Sequence, residues 1–500
     1  MSRPAAVVLL RVPPRAALVA LTLGAASVAC NEDHGPGLGG LPTIVSVAVA
    51  PNSVNTLSAL VTYTAQGSDS ARVRYWSDSE LPAQTPFFPD QTGRGTVPIL
   101  GLRAGSLYHA TLEVSGPGGS TLSAPLEVRA GDLPPSLDGV RLDLSGQDAP
   151  PPGFLLTSVT VADTAFAVAF DRTGAIRWYR GFPTHAGEHA LACEQQPDGN
   201  FTLFVGASSG SQPVAGRYYE FAPAGDSLAT YTAGAALYTD PHEVLVRGAG
   251  GTARDDAVYI LGYDLRSVDL TALGGGPTQT VAGHSILRQS ADGTVEFQWS
   301  AWDHFTLDDW VARPANLAQT TQLDFDHANS IELDPAGDYL VSFAAVTQVV
   351  KIDHRTGAIR WRLGGRRNQF TFVGDPLDGF GIQHDVRSLP NGHLLLFDNG
   401  NFHLPPESRA VEYDLDTLAM TATLVWESRH SPPVYAPFVG SVQRFQNGHT
   451  LIGYGAAGIM TEVSAQGTVV WEGRLDVSGQ TSTIFYRVRE LPSLYVHQQP

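Results

Sequence analysis

Beyond about residue 150, short apolar runs alternate with turn residues, and the alternation repeats. One half-unit is an apolar strand, a turn such as Pro-Asn-Gly, and a second apolar strand. Its clearest copies are Gln383 to Phe397, turning at Pro390-Asn391-Gly392, and Ser441 to Ile452, turning at Gln446-Asn447-Gly448. His327 to Phe343 and His189 to Val205 are looser copies. The other half-unit runs from Asp or Ser through Thr or Gln and Gly to a strand ending on Trp: Asp171 to Trp178, Asp353 to Trp361 and Ser464 to Trp471, with Ala291 to Val295 and Trp299 as a looser copy. Alternating runs bounded by such turns predict strands, and self-similarity along a chain marks a repeat architecture. Two half-units make four antiparallel strands, which is one propeller blade. Six units lie near 153–180, 188–234, 242–302, 327–365, 383–427 and 440–475. The fold class is therefore all-β, a six-bladed β-propeller over 153–500 preceded by a small β-sandwich. The first unit is short of strands, and the β-rich tail Thr483 to Leu491 is placed to complete it and close the ring. A seventh blade stays open, because Arg254 to Leu317 is long for one blade.

Residues 42–130 carry the sandwich, with β-rich runs at Ile44 to Val49, Leu57 to Tyr63 and Ala71 to Trp76. The segment Leu102 to Tyr108 leading into the strand His109 to Val114 resembles the tyrosine corner of fibronectin type III domains, where a Tyr hydroxyl ties a strand to an upstream turn. It holds no charged cluster, which leaves a spacer or a dimerisation surface, so a homodimer is the self-association to test. A Pro-rich linker, 131–152, follows. At the other end, Arg3, Arg11 and Arg15 precede the apolar run Ala16 to Ala29 and then Cys30, the order of an export signal over residues 1–30. It resembles a bacterial lipoprotein signal, which implies lipidation of Cys30, a tether over 31–41, and a periplasmic or cell-surface protein anchored to the outer membrane. An ordinary secretory signal is the alternative. With Cys30 lipidated, Cys193 stands alone as a buried structural thiol, and two cysteines cannot build a zinc site unaided.

Composition narrows the partners. Hydrophobic residues make up 43% and charged residues 16% of 500, with 52 Gly and 34 Pro, the mix of a folded, turn-rich protein. A net charge of −18 excludes a nucleic-acid partner, which needs a basic footprint. No later stretch approaches the ~18 apolar residues of a membrane span, so membrane contact is expected only through Cys30.

Four units open on histidine: His189, His242, His327 and His384. First residues of inner strands gather round a propeller axis. His189 reads as a histidine bonded to backbone; the other three read as functional. Imidazole serves either as a metal ligand or as a nucleophile towards activated phosphorus or sulfur(VI). Asp326, Asp385 and Glu243 adjoin three of these histidines, but strand neighbours point to opposite faces, so an adjacent carboxylate is poorly placed to share a metal.

Several consecutive segments resemble the bacterial arylsulfotransferase family: His327-Ala328-Asn329-Ser330-Ile331, Val349 to Asp353, Ile359 to Gly365, Gln383-His384-Asp385, Phe397-Asp398-Asn399-Gly400, Ser441 to Arg444 and Asn447 to Leu451. The resemblance implies transfer of a sulfuryl group from an aryl sulfate donor to a phenolic acceptor. It would proceed by a ping-pong route through a sulfohistidine, with no nucleotide donor, cofactor or metal. It further implies that His384 is the nucleophile, that His327 and Asn329 hold sulfuryl oxygens, and that His242 shuttles the phenolic proton. The family's Arg after the His-x-Asn strand is missing, since Ser342 to Gln348 holds no cation. Arg387, Arg444 and Arg487 are the candidate replacements, Lys351 a poor one, and Tyr486 joins Arg487 as a substrate-binding candidate. The rival functions are a propeller that binds an anionic aromatic ligand or a protein partner at the cell surface without turnover, and a metal-dependent hydrolase.

Overall fold

The computed structural model describes residues 40–90, 92–145, 152–207, 216–234, 236–246, 257–320, 323–480 and 483–495. The expected signal, Cys30 and most of the tether lie outside the described residues. Among those described, no helix is long and apolar enough to cross a membrane.

Six sheets of at least four strands each form the ring. Blade 2 comprises Glu188–Gln195, Phe201–Ala207, Arg217–Phe221 and Ser227–Tyr231. Blade 3 comprises Tyr238–Val246, Val258–Val268, Gln279–Gln289 and Val295–Ser300. Blade 4 starts at Ala328–Leu333, blade 5 at His384–Ser388 and blade 6 at Ser441–Arg444. Blade 1 takes Phe154–Val161, Thr164–Asp171 and Ile176–Pro183 from the start of the ring and its innermost strand, Arg489–Leu491, from the end. The tail thus closes the ring as its β-rich sequence suggests. Among the described residues, the long stretch in blade 3 makes no seventh sheet. Its two central strands run 11 residues each, and one-turn 3-10 helices at Ala301–Asp303, Leu307–Asp309 and Leu317–Gln319 absorb the rest. Within the Pro-rich stretch, Val140–Leu144 forms a strand that pairs antiparallel with Val469–Val477 on the outer edge of blade 6.

An inner strand leaves one edge unpaired, and an unpaired edge must be satisfied or covered. Here each inner edge donates at least one backbone N–H to a side chain of the preceding blade. The pairs are Ala190 to Thr160 Oγ1 (2.7 Å), Val246 to Gln196 Oε1 (2.8 Å), Ile331 to Glu243 Oε2 (2.9 Å), Val386 to Ser330 Oγ (3.2 Å), Val442 to Asp385 Oδ2 (2.8 Å) and Val488 to Ser441 Oγ (3.1 Å). Glu243 and Asp385, which adjoin the candidate histidines in sequence, are therefore ties between blades. The recurring Trp works at the outer side. Trp178, Trp299 and Trp471 are buried, and their indole N–H groups donate to Pro223 O, Gly357 O and Arg172 O of the next blade.

Upstream, Thr43–Pro51, Ala59–Gln66 and Arg94–Ile99 form one sheet, and a second is built around Ser70–Ser77 and Leu107–Gly116. A core that includes Val61, Val73, Tyr108 and Leu112 lies between them. The Tyr108 hydroxyl accepts the Arg103 backbone N–H at 2.9 Å and donates to Glu80.

Candidate functional site

Three inner strands open irregularly at the same end. Register shifts fall between Thr239 and Val244, between Ala328 and Ser330, and between His384 and Arg387. Bulges re-aim side chains, and the backbone here is also strained. His327, Ile382 and Asp385 sit at φ of 49°, 56° and 53°, a region that non-glycine residues rarely occupy. The simple alternation that would set His327 and Asn329 on one face does not apply across this bulge.

His242, His327 and His384 come together. The His242 and His327 rings are 4.7 Å apart and the His327 and His384 rings 6.2 Å, with Tyr486 5.4 Å from His242 and 6.5 Å from His384. His189 is exposed and shares no ring contact with them. Each clustered ring is held at Nδ1. His384 Nδ1 meets Ile382 O at 3.0 Å and Asn399 Oδ1 at 2.8 Å. The Asn399 amide donates to Ala436 O and Val439 O, so its oxygen must face the ring and Nδ1 must carry the proton. Gly400 beside it has no room for a side chain, since a Cβ would stand 1.9 Å from Glu407 O. Asp398 accepts the Gly381 and Gly400 backbone N–H groups and pairs with buried Arg409, which braces the turn before His384. Burial, with the neighbouring His327 and His242 rings, lowers the His384 pKa to about 3. Among the described residues nothing bonds to its Nε2, which is a neutral, unprotonated nitrogen.

His327 Nδ1 lies 2.6 Å from Asp324 Oδ2, and His242 Nδ1 lies 2.9 Å from both Asp240 oxygens. Burial dominates at His242 and pushes its pKa down. Burial acts the same way at His327, but the Asp324 carboxylate outweighs it and the pKa rises. The cluster thus contains a neutral histidine of depressed basicity beside one that favours its charged form.

The other expected site residues are accounted for differently. Asn329 Nδ2 donates to Gln383 O, while its Oδ1 is buried without a partner. The Tyr486 hydroxyl and Arg487 Nη2 both donate to Asn329 O, at 2.9 and 2.8 Å. Arg487 is buried and ion-paired with Glu243 at 3.0 Å and Glu194 at 3.2 Å. Arg387 pairs with Glu243 and Asp385, and Arg489 with Asp385 and Glu194. These arginines and carboxylates neutralise one another inside the channel. Arg444 pairs with Glu412 and lies over Trp426, with no contact to the histidines. Lys351 pairs with Asp334. None of the proposed replacement cations stands free beside His384.

Sequence reasoning did not find His284. It is wholly buried in the third strand of blade 3, between Asp326 and Asp240, with its ring 6.2 Å from that of His327. Its position, away from the opening of any repeat, gave no signal. His284, Asp324 and Asp326 could each offer one ligand atom to a metal, all within 4.8 Å of one another. The 2.5 Å between His284 Nδ1 and Asp326 Oδ1 is a hydrogen-bond distance. Ligands at ~2.1 Å around one zinc-like ion stand about 3 Å or more apart.

The family model described as Arylsulfotransferase (ASST) matches residues 226–476. No curated protein matches the chain significantly. Among solved structures, a protein of unknown function from Bacteroides caccae is 15% identical with a TM-score of 0.41, over 69% of this chain and 100% of that one. A catalytically inactive variant of virginiamycin B lyase from Staphylococcus aureus, solved with quinupristin, is 11% identical with a TM-score of 0.33, over 69% of this chain and 89% of that one.

Proposed function

Because the chain belongs to the arylsulfotransferase family, we propose that it moves a sulfuryl group from an aryl sulfate ester to a phenol through a sulfohistidine on His384 Nε2. The observation that carries this reading is the state of His384. Its Nδ1 proton is committed to Ile382 O and Asn399 Oδ1, and its other nitrogen keeps a free lone pair. In the first half-reaction Nε2 attacks sulfur, an N–S bond forms, and the S–O bond to the departing aryl group breaks. In the second, the acceptor oxygen attacks sulfur, the N–S bond breaks, and the acceptor's proton passes to His242. His242 returns that proton to the next phenoxide that leaves, so the cycle balances. The charged form of His327 supplies a cation next to the sulfuryl oxygens in the absence of the family's Arg, and the second N–H of Asn329 Nδ2 is the other donor at hand. Preorganised donors of this kind act on charge that develops in the transition state.

The test is reaction with 4-nitrophenyl sulfate, with and without phenol, for the protein and for His384→Ala. Acceptor-dependent nitrophenol release, with one sulfuryl group on the His384 peptide by mass spectrometry, is expected; the variant should show neither. The engagement of Arg387, Arg444 and Arg487 in ion pairs favours one second reading, a propeller that binds aryl sulfates without turning them over. Thermal stabilisation by 4-nitrophenyl sulfate with no nitrophenol release would select it.

A further inference from the structure

We propose that His284 is a positioning residue for sulfuryl transfer: clamped between Asp326 and Asp240, it holds the Asp240 carboxylate against His242, so that His242 keeps its proton on Nδ1 and presents Nε2 to the acceptor phenol. This rests on the reading of His242 as the group that carries the phenolic proton.

The clamp is a chain of matched donors and acceptors. Asp326 accepts the His284 backbone N–H at 2.9 Å and faces its ring Nδ1 at 2.5 Å. On the other side of the ring, His284 Nε2 stands 3.1 Å from Asp240 Oδ2. Asp240 Oδ1 accepts the His242 backbone N–H at 2.8 Å, and both its oxygens lie 2.9 Å from His242 Nδ1. Ionised carboxylates only accept, so each imidazole nitrogen facing one carries a hydrogen. His284 faces carboxylates with both nitrogens and is therefore an imidazolium; His242 faces one with Nδ1 alone. The remaining groups around His284 fit this state. Asp324 lies 3.7 Å from Nδ1, the Tyr263 ring 4.6 Å from the imidazole, and the His327 ring 6.2 Å away. Burial raises the Tyr263 pKa well above its ordinary value, so that phenol stays neutral. Burial opposes a charge on His284 as well, but the surrounding carboxylates, Asp326 foremost, outweigh it and favour the charged ring.

Removing the His284 charge leaves Asp240 and Asp326 buried with too few cations. A buried carboxyl in that position takes up a proton. A protonated Asp240 donates to His242 Nδ1, which moves the ring hydrogen to Nε2, the nitrogen that must accept the phenolic proton. The loss at His284 is then transmitted to the reaction through a tautomer.

The experiment is nitrogen NMR of the histidine-labelled full-length protein, read together with transfer kinetics. In the unaltered protein, the expected result is His284 with both ring nitrogens protonated well above pH 6.5, together with His242 as the Nδ1–H tautomer. His284→Gln should convert His242 to the Nε2–H tautomer and lower kcat on the order of 10²-fold, the scale of a lost acid–base group. The donor KM should change little. A neutral His284 in the unaltered protein, or an unchanged His242 tautomer in folded His284→Gln, overturns the proposal. So does a stoichiometric metal whose removal by chelation shifts the His284 signals. If the unaltered protein transfers no sulfuryl group, the reaction assignment fails, and the tautomer readout still decides the clamp.

Discussion

At His384 the choice between two ring nitrogens is made by Asn399, whose amide orientation is set in turn by Ala436 O and Val439 O. Asn399→Ala leaves Ile382 O as the remaining partner of Nδ1, a longer contact at 3.0 Å, and loosens the ring's orientation. It should slow the first half-reaction by ~10²-fold, the scale for reacting groups misplaced by about an ångström; the burst of phenol release measures this. The pH dependence follows from three rings. His384 and His242 titrate below the ordinary histidine value of 6.5, so only as pH falls beneath it does a proton block the nucleophile, or stop His242 from accepting the proton of the acceptor phenol. His327 titrates above 6.5 and loses its charge as pH rises through its raised pKa. A profile of kcat/KM with its acid limb below pH 6.5 and its alkaline limb above it is expected, and an acid limb above pH 6.5 would contradict the assigned roles. The three clustered histidines were legible because each stands at the same phase of a repeat. His284, Asp240 and Asp324 were not, since their partnership arises only where a third strand passes behind the openings of two blades. Arg487 was legible as a cation near the site. Its neutralisation by Glu243 and Glu194 was not, because those carboxylates come from two other blades.

The Trp that ends the outer half-unit was plain in the sequence, and the carbonyl it meets on the next blade was not. Trp471→Phe keeps most of the buried area but strands Arg172 O, and should cost ~1–3 kcal/mol in denaturant unfolding, the penalty for a buried group left unsatisfied. The inner strands make a stronger case. Arg489 binds both oxygens of Asp385 at 2.7 Å and also reaches Glu194. Arg489→Met leaves a buried carboxylate without its main partner and should destabilise by ~3–5 kcal/mol, read in the same experiment. The bulges that open blades 3, 4 and 5 were beyond sequence reading, since a strand with an extra residue has the same composition as one without. The edge strand Val140–Leu144 escaped notice for a related reason: five residues of alternation between proline clusters carry little signal until a partner, Val469–Val477, is present.

The upstream sheets are fastened to the ring. Arg177 of blade 1 donates to Glu80 and to Gly101 O, Arg103 reaches Asp171, and the Tyr495 hydroxyl accepts the Leu100 N–H and donates to Pro98 O. Apolar packing crosses the same boundary, with Leu57 and Leu100 buried in propeller cores. Heating should therefore give one cooperative transition for both parts by calorimetry; two separated transitions would mean that these contacts couple them weakly. The number of blades and the closing role of the tail were legible because a ring imposes one phase on every repeat. The closure also concerns protein synthesis. Blade 1 begins at Phe154, but its inner strand is Arg489–Leu491, and Tyr486 and Arg487, which brace Asn329, lie just before it. A ribosome must deliver all five other blades before the first blade is complete. Nonsense mutations anywhere upstream of Arg489, even within blade 6, should behave as complete loss-of-function alleles and not as weakened forms.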